Sequence, residues 1–102
     1  MRSESEREEV QTVRRRIIEL LEEGPVDIRD ISQVVGIMEK EVPDHLEHIF
    51  RTVARQKKKL VFIPYECANC GFIFRERRKF SRPGRCPECK GTHIHPAMFQ
   101  IE

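Results

Sequence analysis

The sequence predicts an α+β protein, with three helices filling its first sixty residues and a small β unit built around four cysteines after them. Three observations carry this. Apolar residues recur at helical spacing in three stretches before residue 60. Two C-x₂-C units, Cys67-Ala68-Asn69-Cys70 and Cys86-Pro87-Glu88-Cys89, stand fifteen residues apart. Two β-prone runs, Leu60-Val61-Phe62-Ile63 and Met98 to Ile101, flank the cysteines and can pair with each other.

The first helix is expected over about residues 6–23. Ser3 with Glu6 and Ser5 with Glu8 both fit the S-x-x-E capping box, and Val10, Val13, Ile17, Leu20 and Leu21 share one face. Gly24-Pro25 stops it. Asp27 can cap a short second helix, residues 28–35, that carries Ile28, Ile31, Val34 and Val35 and is closed by Gly36. The third helix is expected over 39–56, because Val42, Leu46, Ile49 and Val53 fall on a narrow arc, and Pro43 is tolerable only in a first turn. The strand 60–63 follows.

The chain has 102 residues, enough for one compact core or two very small ones, and a large multi-domain enzyme is excluded. Hydrophobic residues make up 38% and charged residues 35%, against about 25% charged in an ordinary globular protein. Apolar area is therefore scarce, surface ion pairs should be plentiful, and something besides core burial must help hold the fold. The charge excess is also a tendency of thermophile proteins. Apolar runs of a few residues fall far short of the ~20 that cross a bilayer, and charge follows Met1, so a soluble, cytoplasmic protein without membrane partners is expected. The formal net charge is +2.

Two C-x₂-C units at this spacing suit a four-thiolate metal site, in which each tight turn presents two sulfurs and two turns complete a tetrahedron. Cys67, Cys70, Cys86 and Cys89 are thus the expected ligands of one structural Zn²⁺, with iron as the alternative occupant of the same sulfurs. Gly71 and Gly91 are expected to let the backbone curl toward those sulfurs. Four protein ligands leave no position for water, so the site is structural rather than catalytic. Zn²⁺ with four thiolates adds −2, bringing the holo-protein close to neutrality, so any nucleic-acid binding must come from local patches.

Ile28 to Ile37, followed by Val42 and Leu46, has the spacing of a helix-turn-helix, with small Ser32 four residues before Gly36, where two helices approach closely. With the helix before it and the strand after Lys59, it resembles the winged-helix regulators of arsenic-repressor type. A recognition helix reaches bases with its N-terminal half. Here the outward face of the third helix carries Lys40, Asp44, Glu47, Arg51 and Arg55, flanked by Glu41 and His48, and its first half is acidic. Carboxylates beside phosphates are repelled.

Positive charge gathers elsewhere. Arg55, Lys57, Lys58 and Lys59 end the third helix, and Arg75, Arg77, Arg78, Lys79, Arg82 and Arg85 crowd the segment between the knuckles, interleaved with Phe72, Phe74 and Phe80. Two readings stand: a basic hairpin that grips a phosphate backbone, or a solvated hairpin whose phenylalanines cover the ribbon core. With Lys40 and Arg51, these cations are the candidate contacts to double-stranded DNA. Glu41, Asp44 and Glu47 are the candidate contacts to a basic protein partner.

A three-helix unit running into Tyr65-Glu66-Cys67-Ala68-Asn69-Cys70-Gly71-Phe72 and then Arg85-Cys86-Pro87-Glu88-Cys89-Lys90-Gly91 closely resembles a small archaeal family of predicted transcriptional regulators. That family fuses a winged helix-turn-helix to a rubredoxin-like zinc ribbon. The resemblance implies a winged helix-turn-helix unit over 1–64, a four-cysteine zinc ribbon over 65–95 inserted in or replacing the wing, and a C-terminal strand, 96–102, returning to the winged-helix sheet. It implies a DNA-binding regulator, with an adaptor of the transcription machinery as the alternative, and leaves room for a homodimer through the long first helix.

His45 and His48, or His93 and His95, are spaced to hold a second metal, although paired surface histidines without such company are usually solvated. Tyr65 and Phe99 read as packing residues. No phosphate loop, nucleophile elbow or paired carboxylate motif is present, so no enzymatic role is expected.

Overall fold

The computed structural model describes residues 4–75 and 79–102, with side chains from Glu9 onward. Helix α1 (Glu4–Glu23) begins two residues before the expected residue 6, so Ser5 lies inside it, and Ser3 lies outside the described residues. Ile17 and Leu21 are fully buried, with Val13, Ile18 and Leu20 packed beside them.

Helix α2 (Ile28–Val35) is capped reciprocally: the Asp30 amide donates to the Asp27 carboxylate at 2.7 Å, and the Asp27 amide donates to the Asp30 carboxylate at 3.3 Å. Gly36 closes it at φ 81°, with the amides of Gly36 and Ile37 both donating to the Ser32 carbonyl. Arg16 of α1 donates to the last carbonyls of α2, Val34 at 3.2 Å and Val35 at 3.4 Å, where the helix dipole favours a cation.

The expected helix 39–56 divides in two. A 3₁₀ turn (Glu39–Glu41) precedes α3 (Val42–Arg55). Pro43 has no N–H to donate to the Glu39 carbonyl, which instead accepts from Val42 in a tighter ring. Helix α3 ends in a Schellman motif: Lys58 donates to Val53, Lys57 donates to Ala54, and Lys57 takes the left-handed position at φ 60°.

Strand β1 (Leu60–Ile63) pairs antiparallel with β4 (Met98–Ile101), Phe62 opposite Phe99. Val26, between α1 and α2, bridges Phe99 from the other side through amide bonds of 2.8 and 3.0 Å, so β4 is flanked by Val26 and β1. The distant pairing anticipated for these two runs is present. Between them, β2 (Glu66–Cys67) pairs with β3 (Ile94–His95) and is bridged to Ile73, forming the base of the cysteine unit.

Phe99 is fully buried, its ring 5.3 Å from Phe62 and 5.6 Å from Phe80. The buried residues form one cluster, from Ile17 and Leu46 through Phe99 to Tyr65, Phe74 and Ile94. The radius of gyration is 14.7 Å, against about 13 Å for a compact chain of this length. The molecule is accordingly elongated, 47 by 28 by 23 Å.

Among the described residues the abundance of charge yields one ion pair, Lys58 to Glu22 at 3.6 Å, both half-exposed. The plentiful pairing expected from composition is not formed there; Lys57–Lys59, for one, is a run of like charges. No described helix is long and apolar enough to cross a membrane.

Candidate metal centre and cationic surfaces

The two knuckles repeat one hydrogen-bond pattern. In the first, the Gly71 amide donates to the Cys67 carbonyl at 2.9 Å and the Cys67 amide donates to Phe72 at 2.8 Å. In the second, Lys90 donates to Cys86 at 2.9 Å and Cys86 donates to Gly91 at 2.9 Å. Each turn therefore needs a left-handed residue just after its second cysteine: Gly71 at φ 78° and Lys90 at φ 65°. The sequence reading assigned the second curl to Gly91, which has another role. A Cβ there would collide with the Asn69 amide and approach Cys89 Sγ to 3.2 Å, while the Gly91 N–H donates to that sulfur at 3.4 Å.

All four cysteines are free thiols, and their sulfurs lie within 4.8 Å of one another. Cys67 and Cys89 are 3.5 Å apart, Cys70 and Cys86 3.6 Å. A tetrahedron with Zn–S bonds of ~2.3 Å has edges of about 3.8 Å, so the quartet fits one tetrahedral ion with little movement. Cys67 and Cys86 are buried, whereas Cys70 and Cys89 face solvent. Among the described residues this is the one cluster of three or more such donors; His45, His48, His93 and His95 build no second site.

Proton affinities within the quartet diverge. The Cys70 amide, helped by that of Asn69, holds Cys67 down to about 7 against the effect of burial. The Phe72 amide favours the Cys70 thiolate as well, but desolvation and hydrogen bonds that the Cys70 thiol donates to Cys86, Cys67 and Cys89 outweigh it and push Cys70 up to about 12. The Cys67 thiolate forms readily while Cys70 and Cys89 resist, so loading a divalent metal must expel protons and weakens in acid.

The ribbon is tied to the helical body by aromatic side chains. Phe72 and Phe74 meet edge to face at 5.0 Å within the ribbon, as expected of phenylalanines covering a small core. Phe80 instead reaches back to Phe62 at 5.9 Å, Phe99, and Phe50 of α3 at 6.3 Å, and its carbonyl accepts from the Tyr65 hydroxyl at 2.7 Å. Tyr65 and Phe99 are packing residues, 2% and 0% exposed.

The candidate contact residues fall on three separate stretches of the chain. Lys57, Lys58 and Lys59 are exposed in the turn after α3, together with Arg55, and Arg51 is exposed one turn earlier. Strand β1 (Leu60–Ile63) then separates them along the chain from the ribbon. Arg75, Lys79, Arg82 and Arg85 are exposed between the two knuckles, Arg82 donating to the Ile94 carbonyl at 3.4 Å. Arg77 and Arg78 lie outside the described residues. Lys40, Glu41, Asp44 and Glu47 are exposed on the 3₁₀ turn and the first half of α3. His45 is half-buried, its Nδ1 accepting from Arg14 Nε at 3.2 Å.

A helical body continued by a four-cysteine β-ribbon defines a small two-part zinc-ribbon protein. Residues 12–61 match the family model described as PF0610-like, N-terminal, and residues 64–102 match the PF0610 rubredoxin-like zinc beta-ribbon domain. The solution NMR structure of protein PF0610 from Pyrococcus furiosus is similar at a TM-score of 0.77 and 31% identity, covering 90% of each chain. The chain belongs to the PF0610 family. No curated protein matches it significantly.

Proposed function

We propose that the protein is a cytoplasmic, non-catalytic transcriptional regulator that contacts double-stranded DNA through its ribbon. The observation that carries this reading is topological. Three helices, a bridge at Val26 and the strands β1 and β4 follow the order of a winged helix, and the ribbon leaves from the end of β1, where such a fold carries its wing. On this reading the exposed Arg75, Lys79 and Arg85 are the cations of the wing. The acidic first half of α3 argues against docking that half in a major groove, and favours backbone contact by the ribbon.

Gel shifts of the zinc-loaded protein on random duplexes test this. Binding should fall steeply with salt, by about 0.9 log units per log unit of salt for each phosphate neutralised. Replacing Arg77, Arg78 and Lys79 with Ala should weaken it for all sequences alike and flatten that slope. Unchanged affinity would remove the ribbon from the interface. Absence of binding at both low and moderate salt would favour the second reading, an adaptor whose Glu41, Asp44 and Glu47 dock on a basic protein. The half-exposed Phe50 supports that second reading, because it supplies an apolar anchor beside the acidic face.

A further inference from the structure

A cleft of about 670 Å³ lies between the helical body and the ribbon, within the size range of small-molecule sites. Its walls come from both parts of the chain: the start of α2, the 3₁₀ turn and Pro43 on one side, Tyr65, Ser81, Arg82 and Ile94 on the other. Tyr65, Ile94 and Ala97 are buried and Ile28 and Pro43 half-buried, so the floor is apolar.

Three cations surround that floor, each from a different segment: Arg29 on α2, Lys40 on the 3₁₀ turn and Arg82 on the ribbon. Among the described residues none of them is in an ion pair. Two carboxylates also line the cleft, but that of Asp27 is committed to the amide of Asp30 at 2.7 Å. Both carboxylates stay negative, so three positive charges face two, and the N-terminal end of α2 adds a partial positive charge of its own.

We propose that this cleft binds a small organic anion, a carboxylate or phosphate on a flat apolar body, whose charge is held by Arg29, Lys40 and Arg82 while its body covers the Tyr65–Ile94 floor. Such a ligand touches helices and ribbon at once, and so fixes the angle between them. The proposal does not depend on the DNA-binding reading, because the site is built whether or not the ribbon meets DNA.

The test is an NMR titration of the full-length, zinc-loaded protein without DNA, using 2-naphthoate, the neutral 2-naphthamide and inorganic phosphate as probes. Saturable shifts confined to Ile28, Tyr65, Ile94 and Ala97 are expected for naphthoate, with both other probes at least tenfold weaker. Lys40→Gln combined with Arg82→Gln should weaken naphthoate at least tenfold, with metal content and the remaining amide shifts unchanged as the control for folding. Equal binding of naphthamide would overturn the role of charge, and equal binding of phosphate the role of the floor. Absence of saturable shifts with naphthoate, or shifts elsewhere, would overturn the site itself. A positive titration with a negative gel shift would leave the cleft standing and sink the regulator, and the reverse holds equally.

Discussion

Lys90 and Gly71 occupy equivalent places in the two knuckles, and only one of them is a glycine. A left-handed conformation costs an L-residue about 1 kcal/mol. Lys90→Gly should therefore stabilise the ribbon by about 0.5–1 kcal/mol, because the bond it gives up, Lys90 Nζ to the Pro87 carbonyl at 3.3 Å, is exposed. Gly71→Ala should cost about 1 kcal/mol through the backbone alone, since no atom lies within 4 Å of the new methyl. Thermal melts of the zinc-loaded variants read both. His45 gives a pH dependence. Burial lowers its pKa from 6.5, the charge of Arg14 adds to this, and Glu41 and Asp44 oppose it, with His48 a lesser lowering influence. Its Nδ1 must stay unprotonated to accept from Arg14. The unfolded chain thus takes up a proton before the folded one does. The stability that His45 contributes is complete above pH 6.5 and is lost as the pH falls through the lower folded value. Denaturant titrations at pH 7.5 and 5.5 should show a smaller loss for His45→Gln than for the parent; an equal loss would assign the effect elsewhere, His48 first, whose pKa is also lowered by burial and by Arg14, Arg51 and Arg55.

At the scale of elements, what the sequence discloses is what depends on near neighbours. Asp27 with Asp30, Gly36, and the stripe Val42, Leu46, Ile49 and Val53 all act within a few residues, and each appears where its pattern places it. Asp27→Ala should cost about 1 kcal/mol, with Asp27→Asn recovering most of it, measured by chemical denaturation. Two boundaries were not legible. The start of α3 depends on which carbonyl Pro43 leaves without a donor, and its end on Lys57 adopting a conformation that its side chain disfavours. Ser32 was expected to allow close helix approach. Its hydroxyl also donates to the Ile37 carbonyl at 2.6 Å and pins the turn between α2 and α3. Hydroxyl and methyl look alike to a size argument, and only the local geometry separates them.

Across the whole molecule, the four cysteines were plain in the sequence because their spacing is local, whereas the seat of the ribbon was not. Phe80 reads as one of three phenylalanines in a basic segment, yet it packs on Phe50, Phe62 and Phe99, contacts separated by up to thirty residues of chain. The cleft and its three cations depend on the same long-range placement. Four cysteines placed to hold one metal ion can close the two knuckles of a chain this short and this charged, while Phe80 and Tyr65 fasten the segment between them to the helical core. The most direct test is the metal content of natively purified protein by elemental mass spectrometry, read beside its amide NMR spectrum. One zinc or iron per chain is the result expected. Neither metal, with the amides of residues 65–95 still dispersed, would contradict it.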